Sequence, residues 1–122
     1  TRWNAARRAR ARAYRTAFAR QRIAGLVLHR EEPGCEAVYH LYTIRIPQRE
    51  RIATVLAREG IATQVAYPCG LPDQPALRSF RRPRQHFPQT RNATRQVLSL
   101  PLYPELRLQE INRIVHLIGK TR

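Results

Sequence analysis

The sequence predicts an α+β domain, in which helices cover a small, mainly antiparallel three-stranded sheet. Val38–Ile46 is rich in aromatic and β-branched residues, and one of its faces is suited to burial; Ile61, Thr63, Val65 and Tyr67 share one face of a second such segment, which is the period of two that β-strands require. Between them the apolar residues recur with helical spacing, and Val97–Leu100 forms a third short apolar run. Strands and helices in this order are typical of an α+β fold.

The chain of 122 residues is the length of one domain, in which we distinguish three parts. They are an N-terminal helix at 1–22, a strand, helix, strand and loop at 38–77, and a helix, a strand and a final helix at 86–122. A modest hydrophobic core is therefore expected.

The N-terminal helix is predicted because alanine and arginine both favour helices and no β-branched residue interrupts Arg7–Ala13. We expect its apolar stripe to face the core and Arg8, Arg12 and Arg15 to face water. The stripe contains Trp3, Ala6, Ala9, Ala13, Tyr14, Ala17 and Phe18.

The central part begins with the strand that Pro47 ends. After Gln48 the apolar residues take helical spacing, and Gly60 is the residue type that commonly closes a helix. The face of the first strand suited to burial carries Val38, His40, Tyr42, Ile44 and Ile46. Prolines after Tyr67 predict a loop without regular structure.

The last part is predicted to contain a helix at His86–Gln96, a strand at Val97–Leu100 and a helix at about Leu108–Ile118. Gly119 is the expected stop of the final helix. Its start is predicted to be weak, because Arg107 occupies the N-cap position and losing a capping side chain costs about 1 kcal/mol.

Composition favours a soluble, cytoplasmic protein. No apolar run approaches the roughly 20 residues of a membrane span, and nothing resembles a signal peptide. Cys35 and Cys69 lack the spacing of zinc ligands, and we expect free, partly buried thiols rather than a disulfide.

Charge is the unusual feature, because 23 basic residues against 8 acidic ones give a formal net charge of +15, and Lys120 is the only lysine. Arginine favours phosphate and carboxylate partners, so a nucleic-acid-binding module is one interpretation, using the helix and the segment from Arg78 to Arg84. We favour the alternative that a codon bias places arginine at solvent-exposed positions, since many arginines lie where helical periodicity predicts an exposed residue.

Five motifs, in order, resemble the C-terminal small domain of the DegT/DnrJ/EryC1/StrS sugar aminotransferases. They are YHLYTIRIP, REGIATQVAYP, LPDQPAL, FP and LSLPLYPEL, and the resemblance extends over nearly the whole chain. It implies the small domain of a fold type I enzyme that uses pyridoxal phosphate (PLP). It also implies a nucleotide-sugar substrate, a homodimer and a large PLP-binding domain, in the same or a separate chain.

The loop is where the sequence departs most from that family. The usual pattern HYPxPLHxQPAY reads AYPCGLPDQPAL here, so that Ala66 and Pro72 replace two histidines, Gly70 a proline and Leu77 a tyrosine. Arg91 likewise stands where a glutamate is frequent. Packing residues are kept better than polar ones, which fits either impaired substrate binding or a different substrate.

The chain lacks what PLP chemistry needs. A transaminase requires a lysine in a desolvated pocket for the Schiff base, whereas Lys120 lies near the end in a polar tail. There is also no glycine-rich phosphate loop. We therefore expect no catalytic residue, no cofactor bound by this chain alone and no activity without the large domain.

The candidate substrate-binding residues are polar side chains of the central part. The resemblance places Tyr67 and Gln74 beside the family's substrate region. His40 could instead be hydrogen-bonded within the sheet, and Arg45 could lie on an exposed strand face rather than grip a phosphate or carboxylate. Tyr42 is the remaining candidate.

Three functions are therefore compared. The first is the C-terminal domain, or a truncated remnant, of a PLP-dependent nucleotide-sugar aminotransferase. The second is a stand-alone arginine-rich module that binds nucleic acid, against which no RNA- or DNA-binding signature is visible. The third is a non-catalytic module that docks to a separately encoded large domain.

Overall fold

A computed structural model describes residues 1–80, 82 and 85–121. Its helices are α1 (Arg2–Ala19), α2 (Arg49–Arg58), α3 (Pro88–Gln96) and α4 (Leu108–Lys120). The strands are β1 (Tyr42–Arg45) and β2 (Val97–Leu100), and two 3-10 turns, Leu71–Asp73 and Pro75–Phe80, lie within the predicted loop. No helix of the described residues is long and apolar enough to cross a membrane.

The predicted α+β class is confirmed, and the sheet contains two antiparallel strands. Thr43 lies opposite Ser99 in the register of β1 and β2. Single bridges extend the sheet at both edges, from Val27 to Arg45 and from Gln64 to Ser99. The predicted strand at Ile61–Tyr67 is thus reduced to one pair, because β2 is short and because Pro68, directly after the predicted strand, has no N–H to donate.

The first predicted strand is shorter than its alternation suggested. It begins at Tyr42, and the preceding Tyr39 has a positive φ of 51° that interrupts the extended backbone. In this conformation the half-buried Tyr39 ring packs on His29 and Tyr42, with centroid distances of 5.8 and 6.1 Å. Val38 and His40 are consequently exposed, whereas the rest of the predicted face is buried.

The core lies between the sheet and helices α1, α2 and α4. Helix α1 contributes Ala11, Tyr14, Ala17 and Phe18, so its buried face is rotated from the predicted stripe and Trp3 is 66% exposed. The Tyr14 ring stacks on Tyr42 at 4.7 Å, and its hydroxyl donates to the Pro101 carbonyl at 2.9 Å. Aromatic packing therefore joins α1 to the sheet.

Helix α4 begins at Leu108 with Arg107 as its N-cap, as predicted, and no side-chain oxygen caps it. The Glu110 carboxylate accepts a hydrogen bond from the Arg107 backbone N–H at 2.8 Å, which is the second half of a capping box. At the end, the helix continues through Gly119 to Lys120. A Cβ at Gly119 would lie 2.4 Å from Oε1 of Gln21, so a larger residue there would require the end of the Gln21 side chain to move.

Candidate functional site

A groove of about 320 Å³ lies between the sheet and α3. Both strands contribute to it, together with the Gln64 segment and one face of α3. It is lined by Leu41, Thr43, Gln64, Ala66, Tyr67, Thr90, Ala93, Thr94, Val97 and Ser99. None of these side chains is charged, although the chain as a whole carries a net charge of +15.

Hydroxyl groups form the floor of the groove. Thr43 Oγ1 and Ser99 Oγ lie 2.8 Å apart, because the antiparallel register places the two residues directly opposite each other. Ser99 is only 3% exposed, and its backbone also pairs with Gln64 in both directions, at 2.8 and 3.1 Å. This floor is neutral, its two hydroxyls bond to each other, and most of the surface that the groove exposes is apolar, so the groove suits the uncharged part of a ligand.

The loop that follows Tyr67 rests on α3. Asp73 accepts two hydrogen bonds from Arg91, from Nε at 3.0 Å and from Nη2 at 2.9 Å. This hydrogen-bonded pairing raises the pKa of Arg91 above its ordinary value. Gly70 is buried against the same turn of the helix, where an added Cβ would lie 2.4 Å from Thr90 Cγ2.

Of the five predicted site residues, Tyr67 lies in the groove. Its side chain is 76% exposed at the rim, free to contact a ligand. Gln74 lies between the two 3-10 turns and is half-buried, but it does not line the groove. His40 is exposed and precedes β1, outside the groove lining.

The other two predicted residues, Tyr42 and Arg45, make contacts within the fold. Tyr42 is 4% exposed, and burial raises its pKa to about 12. Arg45 is half-buried and donates from Nη2 to the Gln96 side chain at 3.3 Å, while its backbone pairs with Val27. Neither side chain lines the groove.

Sequence reasoning missed the hydroxyl residues of the groove. Thr43 and Ser99 were recognisable as polar positions within apolar strands, but only the register shows that they face each other. Thr90 and Thr94 lie on α3, and their i, i+4 spacing places them on one face of that helix. That spacing was the signal in the sequence from which these two groove residues could have been found.

Other candidate features do not form a site. Among the described residues no group of three or more His, Cys, Asp or Glu could hold a metal ion. Both cysteines are free; Cys69 is half-buried, but Cys35 is exposed rather than partly buried as expected. Lys120 is exposed at the end of α4.

The basic segments are partly engaged within the fold. On α1, Arg8 pairs with Glu36 at 3.1 Å, Arg15 donates to the His29 carbonyl at 3.3 Å, and Arg12 is exposed. Of the basic segment from Arg78 to Arg84, residues 81, 83 and 84 lie outside the described residues.

Comparisons with known proteins identify what the chain is similar to. The profile of the DegT/DnrJ/EryC1/StrS aminotransferase family matches residues 1–119. A "pleiotropic regulatory protein" of Geobacillus stearothermophilus is 35% identical over 120 residues, which cover 98% of this chain and 32% of that protein. The dTDP-3-amino-3,4,6-trideoxy-alpha-D-glucose transaminase of Streptomyces venezuelae is 32% identical over 113 residues, covering 93% and 30%.

The fold is shared with solved structures as well. DesV of S. venezuelae, crystallised in complex with a ketimine intermediate, superposes with a TM-score of 0.86 at 30% identity. The match covers 97% of this chain and 31% of that one. The chain thus spans about a third of the length of the relatives that it matches.

Proposed function

Because this chain belongs to the DegT/DnrJ/EryC1/StrS aminotransferase family, we propose that it is the C-terminal small domain, or a remnant, of a PLP-dependent nucleotide-sugar aminotransferase. In this role it forms one wall of the substrate cleft and is inactive alone. The observation that carries the proposal is the neutral groove with Tyr67 at its rim. A groove without charged side chains matches the neutral sugar ring rather than the diphosphate of such a substrate.

The residues of this chain do not fit a PLP site. The only lysine, Lys120, is exposed at the end of α4, so nothing desolvates its amine. The groove lacks a cationic side chain that could hold the cofactor phosphate. We therefore assign no catalytic step to this chain and infer that the large domain, in the same or a separate polypeptide, supplies the cofactor site. The active unit would be a homodimer, as the family resemblance implies.

The first experiment is an immunoblot for the native polypeptide in its source cells. A band several times larger than 14.2 kDa would support a complete aminotransferase, whose PLP absorbance and transamination are then measured. A band at 14.2 kDa would contradict catalysis by this gene product. Co-expression with a separate large domain would then test whether the two associate.

The groove is tested separately by titrating dTDP-glucose into this chain and following the backbone amide resonances. We expect shifts at the groove residues, and an Ala93→Arg variant should weaken binding at least tenfold because the side chain fills the groove. Asn92→Arg is the matched control: it adds the same charge at an exposed position outside the groove lining. Equal loss in both variants, with both folded, would contradict the assignment of the groove.

A further inference from the structure

Between the described residues, the 68–80 loop contacts α3 through an ion pair and through Gly70. Neither 3-10 turn within the loop contains a buried residue, and Leu71 and Phe80 are more than 70% exposed. The backbone hydrogen bonds of Asp73, Gln74 and Leu77 run within the loop itself, to Gly70, Leu71 and Gln74. The loop is therefore not fixed relative to the rest of the fold by these hydrogen bonds or by buried apolar residues of these turns.

The contacts that do cross from the loop to α3 reach adjacent residues of the helix. Gly70 packs against the Thr90 methyl group, and Asp73 pairs with Arg91 through two nearly parallel hydrogen bonds. The ion pair is partly shielded, with side-chain exposures of 40% for Arg91 and 31% for Asp73. Bidentate pairing fixes direction as well as distance, so this pair restrains the orientation of the loop.

We propose that Asp73 and Arg91 are positioning residues for the groove, because their ion pair sets where the 68–80 loop lies on α3. Thr90, the neighbour of Arg91, lines the groove and also contacts Gly70, three residues after Tyr67. The ion pair thereby restrains the loop that begins directly after Tyr67 at the rim. That the ligand placed by this arrangement is a nucleotide sugar rests on the proposed function.

Hydrogen–deuterium exchange of this 122-residue chain tests the ion pair directly. The reporters are the amides of Asp73, Gln74 and Leu77, and Arg91→Gln should accelerate their exchange about three- to fivefold. Arg91→Lys should give an intermediate effect, since lysine keeps the charge but loses the fork. The charge swap Asp73→Arg with Arg91→Asp should restore slow exchange.

Arg95→Gln is the matched control, because Arg95 lies one turn further along α3 and is exposed. It removes the same charge and should leave loop exchange unchanged, and the amides of β2 should stay protected in every variant. Unchanged loop exchange in Arg91→Gln, or no recovery in the charge swap, would overturn the proposal.

Titration with dTDP-glucose separates positioning from a merely local structural role. Its dissociation constant should rise about three- to fivefold in Arg91→Gln, recover in the charge swap and stay unchanged in Arg95→Gln. Faster loop exchange with unaltered affinity would overturn the positioning role. If the unaltered chain does not bind dTDP-glucose but the exchange pattern is as expected, the result would support the restraint of the loop by the ion pair. It would then contradict the proposed function instead.

Discussion

The hydroxyl of Tyr14 is a buried polar group whose single hydrogen bond joins α1 to the turn after β2. Tyr14→Phe removes that bond and leaves the Pro101 carbonyl without its donor. We expect the free energy of unfolding to fall by about 1–2 kcal/mol, as measured by urea denaturation. Tyr103→Phe is the control, because that ring is 44% exposed and its hydroxyl reaches water; a comparable loss there would contradict the assignment.

Buried tyrosines also predict how stability changes with pH. Burial raises the pKa of Tyr42 to about 12 and also raises that of Tyr14, whereas a tyrosine in the unfolded chain titrates near 10. Between pH 10 and 12 the unfolded state loses these protons and the folded state keeps them. Their contribution is therefore fully present below pH 10 and is lost as the pH rises.

Urea denaturation at pH 9, 10 and 11 measures this dependence. Tyr42 alone should contribute a slope approaching 1.4 kcal/mol per pH unit above pH 10. Tyr42→Phe should make the decline shallower. Identical slopes in Tyr42→Phe and the unaltered chain would show that the buried hydroxyl does not resist ionisation.

Tyr42 also shows what a strand pattern leaves open. The alternation over Val38–Ile46 correctly placed its side chain with Ile44 on the buried face. It could not distinguish a residue in the core from one lining a ligand site, since both are removed from water. The stacking on Tyr14 that decides the matter depends on a helix about 30 residues earlier in the chain.

At the scale of elements, the contact between Gly70 and α3 is testable without changing charge. Gly70 has φ −71° and ψ 154°, which any residue can adopt, so the effect of Gly70→Ala comes from space alone. The new Cβ would lie 2.4 Å from Thr90 Cγ2, and a β-branched side chain has little rotamer freedom within a helix. We expect a loss of about 1–2 kcal/mol by urea denaturation.

Thr90→Ala removes the opposing methyl group and should relieve most of that loss in the double variant. A double-mutant cycle would then give a favourable coupling between the two substitutions. Additive losses would mean that the loop does not pack on Thr90.

The local sequence pattern was sufficient to predict some of the helices and strands but not others. The bounds of β2 were predicted because Val97–Leu100 is a short, mainly apolar run directly before Pro101. Ile61–Tyr67 alternates equally well yet makes one bridge, since pairing depends on how much of β2 is available beside it. Tyr39 has a positive φ and its ring contacts His29 and Tyr42, an arrangement that the local sequence pattern does not indicate.

The groove could be recognised only from the folded structure of the whole molecule. Tyr67 was found from the resemblance of its loop, but the hydroxyl floor combines β1 with β2, which lie more than 50 residues apart. The Asp73–Arg91 pair likewise connects the loop to a helix 18 residues later. A single sequence gives the residue types of such pairs but not which of them meet.

The charge of the whole molecule determines its response to salt. Ion pairs such as Arg8–Glu36 and Arg113–Glu59 lie largely at the surface, where each contributes little. A net charge of +15 instead gives repulsion that opposes compaction and that salt screens. We therefore expect the free energy of unfolding to rise between 20 mM and 500 mM NaCl, as followed by urea denaturation.

Arg12→Glu tests the origin of that rise. Arg12 is exposed on α1, and a glutamate there would face Arg8 and Arg15 at i−4 and i+3. The variant should be about 0.5 kcal/mol more stable than the unaltered chain at 20 mM NaCl, and the difference should vanish at 500 mM as charges are screened. Arg12→Gln, which removes one charge instead of reversing it, should gain about half as much at low salt. A gain that persists at high salt would contradict an electrostatic origin, and the repulsion along α1 would then not be what limits stability.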